Sequence, residues 1–270
     1  MSVELAKRPR ARVRDRERRA TRARTHFLPL AAGAACASLS YLVLALQAHV
    51  TPYFPIDLSI THYVQAHETV WLNPFLEALN ALGFPPVVDI VYGAVIAVMF
   101  FTGRRWAAGA TVVSALGASG LSWLTKELVA RPRPPASLVH VQRHITNPTF
   151  PAGHVANLTA FGGFLCYLAI TRLDGSWRRT TLIVFLVVSM LLMGLSRVQA
   201  GEHWASDVLG GYLLGAAWLL VTVFLYERSV LARERGASEG DPGPEDHASD
   251  TGPYAGSVRE AHACRRQGAG

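Results

Sequence analysis

The chain has 270 residues, half of them apolar and only 17% charged, with a net charge of +7. That length allows one or two soluble domains, but the placement of the charge argues against them. Residues 7 to 24 hold ten Lys or Arg, starting with Lys7 and ending with Arg24, whereas none occurs from Thr25 to Gly103. Such an arm suits either nucleic acid or the cytoplasmic flank of a membrane segment. The long apolar run that follows it favours the flank, so no nucleic-acid partner is expected.

A membrane-crossing helix needs roughly 20 apolar residues, about 17 at the least. Six segments approach that length. In chain order they are Phe27 to His49, Pro86 to Phe101 (with Asp89 near its start), Trp106 to Thr125, His154 to Ile170, Thr180 to Ser196 and Trp204 to Tyr226. The second and fifth are short, and five is the nearest alternative count. The first reads as an uncleaved signal anchor, because its basic region and its apolar run are both too long for a cleaved signal. Cys36, Cys166 and Cys264 imply no disulfide framework. The expected class is therefore an all-α polytopic membrane protein, a six-helix bundle.

Arg residues set the orientation. With the N-terminus inside, the basic arm, Gly103-Arg104-Arg105, "TRLDGSWRR" and "ERSVLARERG" all fall on the inner side. Residues 50 to 85 fall outside and carry only acids (Asp57, Glu68, Glu77). Their apolar positions recur at helical spacing, predicting short amphipathic helices on the outer interface over 51 to 85. Residues 1 to 26 form the arm, 27 to 228 the membrane domain, and 229 to 270 a Gly-, Pro- and Ser-rich cytoplasmic tail expected to be disordered. Gly211 and Gly215 make a GxxxG spacing that predicts close helix packing within the bundle.

Three stretches place ionisable groups at the outer surface, where they are costly and therefore functional suspects. In "SRVQAGEHWASD", His203 and Asp207 are four residues apart, so Asp207 can accept a hydrogen bond from one imidazole nitrogen and leave the other free. A capping pair or half a metal site would use the same residues. In "FPAGHVANLT", Pro151, Ala152, Gly153 and His154 precede a helix whose free N–H groups favour an anion. In "TKELVARPRPP", Lys126, Arg131 and Arg133 collect where the topology rule disfavours cations, although long side chains there could also snorkel to lipid headgroups. Together these groups suit phosphoryl transfer through a phosphohistidine. His203 is the nucleophile oriented by Asp207, His154 the general acid, and Lys126, Arg133 and Arg197 the phosphate ligands. No Asp/Glu cluster suited to Mg²⁺ occurs, so neither a metal nor another cofactor is expected.

These stretches resemble the signature of the type 2 phosphatidic acid phosphatase (PAP2) superfamily. K-x6-RP matches Lys126, Arg133 and Pro134, with Arg131 in the variable part; PSGH matches Pro151, Gly153 and His154; SR-x5-H-x3-D matches Ser196, Arg197, His203 and Asp207. The resemblance covers roughly residues 50 to 226. It implies a six-helix membrane phosphatase acting on lipid phosphates or diphosphates at the outer leaflet, with Ser196 and the turn at Ala152 and Gly153 joining the cations around phosphate. Ala152 stands where the family has Ser, although the backbone N–H groups of 152 and 153 are expected to remain available. The implied setting is the plasma membrane, with both termini cytoplasmic and no obligate protein partner. A phosphotransferase with the same site, or a silent lipid-phosphate binding or transport protein, are the alternatives.

Overall fold

The computed structural model describes residues 7–67, 72–83 and 86–239, and every regular element among them is a helix. In chain order these are α1 (Lys7–Val50), α2 (Pro55–Ala66), α3 (Leu72–Leu82), α4 (Val87–Phe101), α5 (Arg105–Val129), α6 (Gly153–Arg172), α7 (Trp177–Gln199) and α8 (Ala205–Glu239). The chain divides into two compact units, Met1–Ser229 and Val230–Gly270. The candidate site described below lies in the first.

Five helices are long and apolar enough to cross a membrane: the part of α1 from Phe27 to Val50, then α5, α6, α7 and the part of α8 from Ala205 to Arg233. The sixth expected span, α4, has 15 residues. At 1.5 Å per residue it reaches about 22 Å, short of a hydrocarbon layer of roughly 30 Å. Two boundaries differ from the sequence reading. From Lys7 the basic arm belongs to the same helix as the first span, since its Arg- and Ala-rich composition favours helix. At the other end, α8 continues to Glu239, past the boundary at 229. The expected disorder of residues 240–270 lies outside the described residues.

The bundle is built on close backbone approaches. Helices α5 and α6 run antiparallel, with the Ser114 hydroxyl donating to the Ala160 carbonyl at 2.9 Å and the Asn157 amide to the Ala115 carbonyl at 3.2 Å. Helices α6 and α8 run parallel. A Cβ on Gly211 would come within 2.7 Å of the Ala152 carbonyl oxygen, and one on Gly215 within 2.6 Å of that of Ala156. The GxxxG spacing thus packs helices inside the bundle, as its sequence predicts. Large apolar side chains such as Leu46, Phe101, Leu116 and Phe185 face outward, a surface suited to lipid rather than water.

Consequently the C-terminal ends of α1, α5 and α7 and the N-terminal ends of α6 and α8 share one end of the bundle. His49 at the end of α1 lies 3.1 Å from the Val129 carbonyl at the end of α5. Helices α2 and α3, both amphipathic as expected for this segment, pack against α7. Residues 68–71 and 84–85 of that segment lie outside the described residues.

Candidate active site

Sharp turns at this end aim the polar side chains. Helix α5 stops at Ala130, which takes a left-handed conformation (φ 49°) and donates its N–H to the Lys126 carbonyl. Pro132 then disfavours helical geometry for Arg131. Helix α7 stops before Gly201, whose φ of 65° and contact with the His140 carbonyl leave no space for a Cβ. Helix α8 starts with Asp207 accepting the Trp204 N–H at 2.8 Å, so the carboxylate also caps the helix that carries it.

His203 and Asp207 do come together, but a third residue stands between them. Nδ1 of His203 lies 3.8 Å from Asp207 Oδ2, beyond hydrogen-bonding range. Thr149 Oγ1 lies 3.0 Å from that Nδ1 and donates to Asp207 Oδ2 at 2.7 Å. A hydroxyl has one proton to give. With that proton on Asp207, Thr149 accepts from Nδ1–H, and the unprotonated nitrogen of His203 is Nε2. The expected direct His–Asp bond is thus replaced by a relay, because His203 precedes the first turn of α8 instead of standing on it. Thr149 is itself held by its N–H to the Arg131 carbonyl at 3.0 Å.

His203 is buried, and its pKa is pushed well below its ordinary value near 6.5, first by burial and then by the positive charges of Lys126, Arg133 and Arg197; a hydrogen bond with the Thr149 backbone opposes them weakly. The imidazole is therefore neutral near pH 7. It follows that, on a substrate whose phosphate does not titrate in that range, kcat/KM should stay level as the pH falls through 6.5; a half-loss centred on 6.5 with such a substrate would contradict this. The linkage has the same sign. Below pH 6.5 the unfolded chain binds more protons at this residue than the folded one, so stability falls as the pH drops.

The cations are anchored at more points than the sequence discloses. Lys126 Nζ donates to the carbonyls of Pro148 (2.7 Å) and Thr149 (3.2 Å). Half-buried Arg133 donates from Nε to the Asn147 carbonyl (2.8 Å), from Nη2 to Asn147 Oδ1 (2.6 Å) and from Nη1 to the Glu202 carbonyl (2.6 Å). Arg197 is fully buried and its Nη1 bonds Glu202 Oε2 at 2.8 Å. His154 opens α6 within electrostatic reach of Lys126, Arg133, Arg197 and His203. The structure therefore brings both histidines, the carboxylate and all three cations to one place.

Two expected phosphate contacts are arranged differently. The N–H of Ala152 donates to the Asp207 backbone carbonyl at 2.9 Å, which leaves the N–H groups from Gly153 onward for an anion. The Ser196 hydroxyl turns back onto the Met193 carbonyl at 2.8 Å. Ala152 is also the N-cap residue of α6 and supplies no side-chain cap. A hydroxyl there has the N–H groups of His154 and Val155 within its usual reach. Ala152→Ser should raise stability by about 1 kcal/mol and leave turnover equal or higher. A large fall in turnover would show the Ala to be adapted to its ligand.

Four further residues complete the surroundings. Arg131, expected at the mouth among the cations, is instead buried, bonded to Asp207 Oδ1 at 2.6 Å and Asp57 Oδ2 at 3.1 Å. Asp57 comes from α2, and Asn80 of α3 donates to Glu202 Oε1 at 3.2 Å. Besides Arg131, only Asp57 left a trace in the sequence, as an acid on a segment without cations. Among the described residues, no three His, Cys, Asp or Glu side chains gather as metal ligands.

Residues 106–230 match the PAP2 superfamily. The chain carries a PAP2 superfamily domain. It is 29% identical over 185 residues to phosphatidylglycerophosphatase B of Bacillus subtilis, covering 66% of this chain and 86% of that protein. It is 28% identical over 171 residues to the lipid A 1-phosphatase of Rhizobium johnstonii, covering 54% of this chain and 65% of that one. Among solved structures, a transmembrane PAP2-type phosphatidylglycerolphosphate phosphatase from Bacillus subtilis superposes with a TM-score of 0.64 at 24% identity, over 73% of this chain and 96% of that chain. That likeness is one of fold. All the site residues except Asp57 and Asn80 fall inside the matched domain.

Proposed function

We propose that the protein is a membrane lipid phosphatase that hydrolyses phosphomonoesters or diphosphates through a phosphohistidine on His203. The family match and the phosphatase relatives support the reaction class. The observation that carries the mechanism is the relay from His203 Nδ1 through Thr149 to Asp207, which puts the lone pair on Nε2.

The steps follow from that placement. Nε2 of His203 attacks phosphorus, and the bond from phosphorus to the leaving oxygen of the lipid breaks. His154 gives that oxygen a proton. Lys126, Arg133 and Arg197 stabilise the charge on the non-bridging oxygens in the trigonal-bipyramidal transition state, and the N–H groups opening α6 add their dipole. A water then attacks phosphorus as His154 takes its proton, the P–N bond breaks and inorganic phosphate departs. Positive charge here comes from side chains, so the proposal includes no metal.

The topology belongs to the same proposal. Six passes, with α4 as a short one, put the site at the extracytoplasmic face of the plasma membrane and both termini in the cytoplasm. The distribution of Arg supports this, since Arg104, Arg105, Arg178 and Arg179 lie at the end of the bundle opposite the site. Phosphatidylglycerol phosphate, phosphatidic acid and an isoprenoid diphosphate of the undecaprenyl type are the proposed substrates. The name of the Bacillus subtilis relative favours the first.

The test is phosphate release by detergent-purified protein from these three lipids, with and without EDTA. Release from at least one lipid, unchanged by EDTA, is the expected result, and the relative rates rank the substrates. No release from any lipid would remove the hydrolase reading.

A further inference from the structure

The outer helix α2 lies before the matched PAP2 domain, yet it reaches the nucleophile's support through buried charge. Asp57 is fully buried, in contrast to the exposed apolar residues around it on α2, such as Ile56 and Tyr63. Its Oδ1 accepts the Ser206 N–H at 2.8 Å. Its Oδ2 accepts the Ser206 hydroxyl at 2.7 Å, the Phe54 N–H at 3.0 Å and Arg131 Nη2 at 3.1 Å. Arg131 is also held by the carbonyls of Thr51 and Pro52 through Nε, at 3.2 and 3.1 Å. Its Nη1 bonds Ser206 Oγ at 2.7 Å and Asp207 Oδ1 at 2.6 Å.

We infer that Asp57 is a positioning residue for the reaction, acting through Arg131 and Ser206 to fix the carboxylate of Asp207. The inference rests on the phosphohistidine reading given above. Three points carry it. First, Arg131 has no exposure and spends its donors on protein groups, so its role is not that of a phosphate ligand. Second, Asp207 is a buried anion whose two oxygens are divided between tasks. Oδ2 receives Thr149 and the Trp204 N–H, while Oδ1 receives Arg131. An unsupported carboxylate at this depth would tend to take up a proton or rotate. Either change disturbs the hydroxyl that keeps Nδ1 of His203 protonated. Third, every group that faces the two oxygens of Asp57 is a donor, so an amide there would set its NH₂ against one of them and loosen the hold on Arg131 and Ser206. Asp57 thereby ties a helix at the membrane interface to the orientation of the nucleophile.

Such a role moves kcat and leaves substrate affinity nearly alone, since none of these groups touches phosphate. The experiment compares wild type with Asp57→Asn, Asp57→Glu and Ser206→Ala, each purified in detergent and checked for folding by its thermal transition. Phosphate release is measured over a range of lipid concentrations. The expected result for Asp57→Asn is a fall in kcat of tenfold or more with KM within threefold, partly restored in Asp57→Glu. Ser206→Ala removes two hydrogen bonds, one to Asp57 and one from Arg131, and changes no charge. It should fold even if Asp57→Asn does not, and should lose kcat by at least threefold at unchanged KM. Wild-type kcat in both variants, or a loss confined to KM, would overturn the inference while leaving the phosphatase reading intact. Absence of release by wild type would instead remove that reading, and the inference with it.

Discussion

His203→Ala abolishes phosphate release, by about a thousandfold or more, if the nucleophile is the imidazole. No neighbour can take over. His154 opens a different helix, and the carboxylate of Asp207 is enclosed by Thr149, Trp204 and Arg131. The three cations remain in the variant, so substrate should still bind with KM little changed. That split separates loss of the nucleophile from loss of the phosphate site. His203→Ala turning over within tenfold of wild type would show that water attacks the lipid phosphate directly.

Asp207→Asn is expected to be nearly as severe, lowering kcat by roughly 10³–10⁴-fold, as for carboxylates that orient a catalytic histidine. The reason is local. Oδ1 faces Arg131 Nη1, while Oδ2 faces the Thr149 hydroxyl and the Trp204 N–H. All are donors, so either orientation of an amide sets its NH₂ against one of them. The anion that balances a positively charged phosphoimidazolium is lost as well. Thr149→Val should reproduce part of this loss. It removes the hydroxyl that stands within hydrogen-bonding distance of both His203 and Asp207, at a cost of about one to two decades in rate, the worth of one charge-assisted bond. Thr149→Ser keeps the hydroxyl and should stay within a few-fold of wild type. If Thr149→Val retained full kcat, His203 would be oriented by something other than the relay.

The helices and the site were legible in the sequence to different depths. Length and apolarity found α1, α5, α6, α7 and α8, because each is a long uninterrupted run and needs no tertiary information. Helix α4 was found too, but its 15 residues leave its crossing a matter of geometry that composition does not address. His154, His203, Asp207 and the cations that the motifs single out stand at one end, since the alternation of helix directions brings those segments together. What the sequence could not display is which polar groups bond to each other. Thr149 is 54 positions from His203, and Asp57 is 74 from Arg131. Such pairs leave no periodic signal. Spacing also misled at one point: a His and an Asp four apart share a face only where both stand on a helix, and α8 starts at Ala205.

Three of the groups expected to contact phosphate are engaged within the protein. The backbone N–H of Ala152 is engaged by Asp207, the Ser196 hydroxyl by Met193, and Arg197 by Glu202. The first two donors are thereby spent inside the protein, and the proposed phosphate contacts fall to the cations and to the N–H groups from Gly153 onward.

The most direct test of the central claim is to trap the intermediate. Wild-type protein is mixed with a lipid carrying radiolabelled phosphate, quenched in base within one turnover, digested, and its labelled peptide identified. Phosphohistidine survives base. The account predicts label on the peptide containing His203, forming before free phosphate appears and absent from His203→Ala. Release of labelled phosphate with no label on the protein at any time, or label on another residue, would contradict it.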